Sequence, residues 1–202
     1  MTLLDIRRYF RDVAEGGVGA AGMVLDLLTP FLRGVRSHWG IDEATAARTY
    51  PGDELVSTPR WSWTHGIEID AAPGEVWPWV AQIGADRGGF YSYQWLENLA
   101  GCDVRNAETV HPDWALRLGD KLVLHPKMPG LDVVAIEPGR SLVTFAPPDE
   151  QARATGRPWA SASWLFYVEP IANGRSRVVS RFRSECSDEL ASRVAYGPYL
   201  TE

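Results

Sequence analysis

The chain is poor in cysteine. It has two in 202 residues, Cys102 and Cys186, far apart and in no Cys-x-x-Cys pair. That excludes a disulfide framework, and both read as reduced thiols of a cytoplasmic protein. The four histidines, His38, His65, His111 and His125, have no short ligand spacing, so no metal site and no cofactor is expected. Basic charge is in deficit as well. Twenty Lys and Arg stand against 26 Asp and Glu, a net charge of −6, and the arginines are scattered. Nucleic acid is therefore excluded as a partner, because binding it needs a basic patch. Long apolar runs are missing too. Residues 18–32 are the most apolar stretch, and Asp26 and Pro30 interrupt them. A membrane span needs roughly 20 apolar residues. The segment reads as a core-packing helix, with a helix lying on a membrane surface as the weaker reading. Asp5, Arg7, Arg8, Arg11, Asp12 and Glu15 leave no signal peptide at the start. There is no Gly-x-Ser-x-Gly nucleophile elbow, no phosphate loop, no internal repeat and no low-complexity segment.

What is present is large aromatic volume. Nine tryptophans sit in a chain that is 45% hydrophobic and 23% charged. The balance is that of a globular protein with a real core, and tryptophan both fills volume and lines apolar pockets. The length suits one domain with an appendage. We divide it into a helical extension and connection over 1–54 and a main domain over 55–202.

Helical spacing appears over 3–14 and, after four glycines, over 23–36. Residues 40–60 read as an ordered connection in which Asp42 caps a short helix reaching Arg48. From Trp61 to Asp70 apolar and polar residues alternate, which predicts a strand with Trp61, Trp63, His65, Ile67 and Ile69 on its buried face. A helix follows at Pro73, with Pro78 placed to kink it, and another over 91–100. Strands are predicted near 103–106, 119–125, 131–137, 141–146, 159–169 and 174–185. The turns "EPGR" at 137–140 and Asn173-Gly174 join two pairs of them. The last two strands read as wet on one side. Tyr167, Arg177, Arg181 and Arg183 are on the solvated faces, and Trp164, Phe166, Val168, Val178 and Phe182 are on the buried ones. One strand, two helices and about six antiparallel strands define an α+β class.

Four segments carry a resemblance: "IDAAPGEVWPWVAQIG" at 69–84, "RGGFYSYQWLENLAG" at 87–101, and the later strands "LGDKLVL" and "VVAIEPGRSLV". Over about residues 55–186 the chain resembles the START-like, or SRPBCC, superfamily, in particular an uncharacterised bacterial branch of polyketide cyclase-like proteins. The resemblance implies a helix-grip fold, a curved antiparallel sheet of six to seven strands around a cavity. It implies little about reaction, since that superfamily holds lipid carriers, hormone receptors, cyclases and chaperone-associated domains. The family's long C-terminal helix has only the short stretch from Ser187 to stand for it. An N-terminal helix, 3–14 or 23–36, is expected to fill part of that place, from the same chain or a neighbouring subunit.

The candidate ligand wall is Trp63, His65, Trp79, Tyr91, Tyr93, Trp95, Trp164 and Phe166. The candidate acid/base groups are His65, Glu97 and Asp103, with His111 a formal partner for Asp103. Glu97 is expected to pair with Arg87 or Arg105, and Arg87-Gly88-Gly89 to be a tight turn. The leading expectation is a binding or carrier protein for a hydrophobic small molecule: a lipid, polyketide or aromatic. A cyclase or dehydratase using the same cavity, and a non-catalytic interaction module, are the alternatives.

Overall fold

A computed structural model describes residues 37–99 and 101–187. The helices expected over 3–14 and 23–36, and the short helix from Ser187, lie outside the described residues. Within them are a short helix α1 (Glu43–Ala46), then β1 (Trp61–Ile69), α2 (Pro73–Ala81) and α3 (Gln94–Leu99). Next come β2 (Lys121–Leu122), β3 (Leu131–Glu137), β4 (Ser141–Ala146), α4 (Glu150–Ala154), β5 (Ala160–Pro170) and β6 (Ser176–Cys186). The strands form one open sheet in the order β1-β6-β5-β4-β3-β2, and every neighbour is antiparallel. The class is α+β, with a six-stranded sheet and few helices. Among the described residues no helix is long and apolar enough to cross a membrane.

Alternation decides the faces. In β1 the odd residues point to the side that α2 covers. Beneath α2, Val76, Val80 and Ile83 meet Leu142, Phe166 and Val168, all buried, so this space is packed core. Pro73 opens the helix, as the residue pattern predicts, and Glu75 closes on the Ala72 amide at 3.0 Å. The helix runs on through Pro78 to Ala81.

The other face departs from expectation. It is not wet: Ser161, Ser163, Leu165 and Tyr167 of β5 are all buried. The reason is the connection, which crosses the edge of β1 and lies on the sheet as a strap. The amides of Thr64 and Gly66 donate to the carbonyls of Ser37 (2.8 Å) and Trp39 (3.0 Å). At Gly40 the chain turns with φ +74° and passes so close that a Cβ there would sit 1.9 Å from the Gly66 carbonyl oxygen. Asp42 caps α1 by accepting from the Thr45 amide at 2.6 Å. Tyr50 and Leu55 then pack on Val143, Leu165, Tyr167 and Val179. Arg181 and Arg183 are drawn into this layer. Arg181 reaches Asp53 (2.8 Å), the Ala46 carbonyl (2.9 Å) and Thr64 Oγ1 (2.8 Å), while Arg183 donates to the carbonyls of Val56 and Ser57. From Ser37 on, the 1–54 extension is thus part of the layered structure.

Two predicted strands shrink. Residues 103–106 form none, because the Asn98 side chain bonds both the amide and the carbonyl of Val104 in place of a ladder partner. Residues 119–125 contribute only the two residues of β2. The turns hold: the Arg140 amide returns to the Glu137 carbonyl at 2.9 Å, and Asn173 sits at φ 63°.

Candidate ligand-binding face

Register carries aromatic residues into a row. Trp63 of β1 lies opposite Phe182 of β6, and Phe182 opposite Trp164 of β5. One step along, His65 faces Ser180, and Ser180 faces Phe166. Residues directly opposite share a face, so these side chains form one patch. Trp63 stacks on His65 at 4.6 Å and on Phe182 at 5.5 Å, and meets Trp164 edge-on at 6.2 Å. Trp164 in turn packs on Phe166 at 4.8 Å. Each such pair adds about 0.5–1.5 kcal/mol beyond burial. The indole N–H of Trp164 donates to Ser180 Oγ at 2.8 Å, which fixes that ring and removes its one polar demand.

The patch is graded. Phe166 and Phe182 are buried, Trp63, His65 and Trp164 are half-buried, and Ile67 beyond them is 53% exposed. The buried end is where α2 packs on β5. Four of the eight candidate wall residues, Trp63, His65, Trp164 and Phe166, are therefore together. Phe182 and Ser180 belong with them. Both are legible in the sequence as β6 positions, but only the pairing shows that they join the row.

The other four stand in α2 (Trp79), in α3 (Trp95) and in the loop between them (Tyr91 and Tyr93). Trp79 and Tyr91 meet edge-on at 5.8 Å, and the Tyr91 hydroxyl donates to the Trp79 carbonyl at 3.1 Å. Gln82, fully buried, ties this region together. Its Nε2 donates to Tyr91 Oη (2.9 Å) and the Thr109 carbonyl (3.2 Å), and its Oε1 accepts from the His111 amide (2.8 Å). Burial holds the Tyr91 phenol above its ordinary pKa, with the Gln82 bond opposing. Asn106 does similar work, its Oδ1 accepting from the Phe90 and Tyr91 amides. Arg87-Gly88-Gly89 is the expected tight turn. Gly89, at φ +75°, leaves room for the Asn106 carboxamide, which a Cβ would meet at 2.3 Å. These are the contacts of a braced loop. Tyr93 is 42% exposed, and the half-buried Trp95 has an indole N–H with no hydrogen-bond partner among the described residues.

The acid/base candidates do not form the expected pairs. His65 stacks on Trp63 in β1. Glu97 bonds the Ser92 hydroxyl and does not pair with Arg87, whose acidic neighbours are Asp86 and Asp120, each at 3.8 Å, or with Arg105. Asp103 is exposed at φ 52°, and His111 turns to Thr109 and Trp114 rather than to Asp103. Cys102 is no activated nucleophile, since burial and the Glu97 charge both push its thiol up. Both cysteines are unbridged. Among the described residues no three His, Cys, Asp or Glu side chains gather as metal ligands.

No family model matches the chain, and no curated protein does. Among solved structures it is similar to the protein MLL2253 from Mesorhizobium loti, at 15% identity over 68% of this chain and 84% of that one, with a TM-score of 0.31. It is also similar to the hypothetical protein jhp0584 from Helicobacter pylori, at 11% identity over 77% of this chain and 91% of that one, with a TM-score of 0.34. Likenesses this distant add nothing to the reading of the site.

Proposed function

We propose that this is a START-like, helix-grip binding protein that holds a hydrophobic small molecule, an aromatic or polyketide-like compound or a lipid, against the aromatic row of β1, β6 and β5. The observation that carries the reading is the graded patch. Trp63 and Trp164 are held in fixed geometry by stacking and by the Ser180 bond, yet remain only half-buried at the rim of a buried core. Pre-ordered rings of this kind bind apolar faces without the cost of immobilising side chains. Catalysis has no comparable support: His65 is stacked on Trp63, Glu97 bonds the Ser92 hydroxyl, and Asp103 is exposed.

The test is native mass spectrometry of the protein as purified from cells, followed by tryptophan quenching with palmitate and with an aromatic polyketide. Saturable quenching by one of them is expected. A ring contributing roughly 80 Å² of contact is worth about 2 kcal/mol, so Trp63→Ala should weaken binding about thirtyfold. Absence of saturable quenching by either probe, or equal binding by Trp63→Ala, would defeat the reading.

A further inference from the structure

An opening of about 520 Å³ lies away from the aromatic row, where the β3–β4 turn meets the end of β5. Arg48, Arg140, Tyr167 and Glu169 line it together with Pro73 and Pro170. Tyr167 is buried and accepts a hydrogen bond from Arg140 Nε at 2.9 Å. The same guanidinium lies over the Tyr167 ring at 5.4 Å. Those two contacts orient the arginine, and neither uses its two Nη groups. Among the described residues their nearest acid is Glu137 at 4.0 Å, with both side chains more than half exposed. A surface pair of that length holds an arginine weakly.

The other charges around the opening are already matched. Glu169 is shared by Arg48 (2.9 Å) and Arg177 (3.4 Å), Arg177 reaches Glu68 (3.0 Å), and Arg175 binds Glu68 (3.1 Å) and Asp70. Arginines 48, 175 and 177 thus stand against Glu68, Asp70 and Glu169. With the Asp42 charge also acting on Arg48 and Arg177, Arg140 is, among the described residues, the arginine of this cluster least held by an acid, since Glu137 is 4.0 Å away and exposed. One oriented fork beside proline walls fits one anion with an apolar body. A guanidinium fork matches a carboxylate in a bidentate pair, and the neighbouring Glu137 and Glu169 carboxylates repel a phosphate dianion more than a monoanion.

We propose that this opening binds a small organic carboxylate, with the carboxylate on the Nη edge of Arg140 and the apolar body along Pro73 and Pro170. The site is independent of the aromatic row.

Titration of the full chain with benzoate, followed by amide and arginine Nε shifts in NMR spectra, tests it. Saturable shifts centred on Gly139, Arg140 and Val168 are expected. Arg140→Gln should lower affinity at least about tenfold, since a charge-assisted pair is lost. Arg140→Lys, which keeps the charge without the fork, should weaken binding less and carries the test if the glutamine variant folds poorly. Arg153→Gln should bind benzoate as the parent does. The proposal is overturned if the shifts do not saturate, persist in Arg140→Gln, are reproduced by inorganic phosphate at equal ionic strength, or centre on Trp63.

Discussion

Gly40 carries more structural demand than its place in a loop suggests. A methyl group there would overlap the Gly66 carbonyl at 1.9 Å, at a φ of +74° that L side chains rarely adopt. Both problems arise where the chain crosses the edge of β1, so neither can relax without lifting the strap. Gly40→Ala should cost about 2–3 kcal/mol, read as a lower urea midpoint. Gly74 is the internal control: it lies in α2, and a Cβ added there would meet nothing within 4 Å. Gly74→Ala should be neutral or stabilising by about 0.5–1 kcal/mol. Equal effects at the two positions would mean that the crossing is looser than the geometry implies. The sequence marks both glycines alike. What separates them is a contact between Gly40 and Gly66, distant along the chain, which no local pattern reports. Asp42 is the opposite case: a cap is a local device, and its bond to the Thr45 amide is legible from the residues alone.

Elements are legible to the extent that their causes are local. Alternation locates β1, β3, β4, β5 and β6 to within about two residues, because burial on one face writes a period of two into a strand. It also puts Arg177, Arg181 and Arg183 on one face of β6, and they share one. Their surroundings are not legible in the same way, because the cover is a segment of turn-like composition with no periodicity of its own. Asp53 anchors that segment. It accepts from Arg181 at 2.8 Å and from the Tyr50 amide at 3.0 Å, and it lies 3.6 Å from Arg183. Burial lowers the Arg183 pKa and the Asp53 charge raises it, so the strap's carboxylate is what makes a buried arginine tolerable. Asp53→Ala leaves two largely buried guanidinium groups without their carboxylate, and should cost about 3–5 kcal/mol in thermal or urea unfolding. Asp53→Asn keeps an acceptor and should cost less. A loss below about 1 kcal/mol in the alanine variant would show that the strap is held by its apolar contacts alone.

For the whole molecule, the missing information is which strand lies beside which. The aromatic candidates of β1 and β5 stand on separate strands, and only β6 between them makes Trp63, Phe182 and Trp164 a single surface. The β3–β4 and β5–β6 turns announce their pairings in sequence, whereas β1 and β6 lie far apart along the chain and pair with no local sign. Trp79, Tyr91, Tyr93 and Trp95 share the aromatic character without sharing that register: Trp79 stands in α2, Trp95 in α3, and Tyr91 and Tyr93 in the braced loop between them. The same non-local pairing makes the sheet the common wall of two packed layers, the core under α2 and the strap on the reverse. Val143 and Leu165 face the strap while their neighbours Leu142 and Phe166 face α2, so neither layer can leave without exposing a strand of the other. The two layers should therefore open together. In native-state hydrogen exchange, the amides of Ala46, Ala47 and Gly66, tied to the strap, should exchange with the free energy and denaturant slope of β5 amides such as Val168. A lower free energy with a smaller slope at Ala46, Ala47 and Gly66 alone would show the strap peeling away as its own unit and would refute the two-layer account.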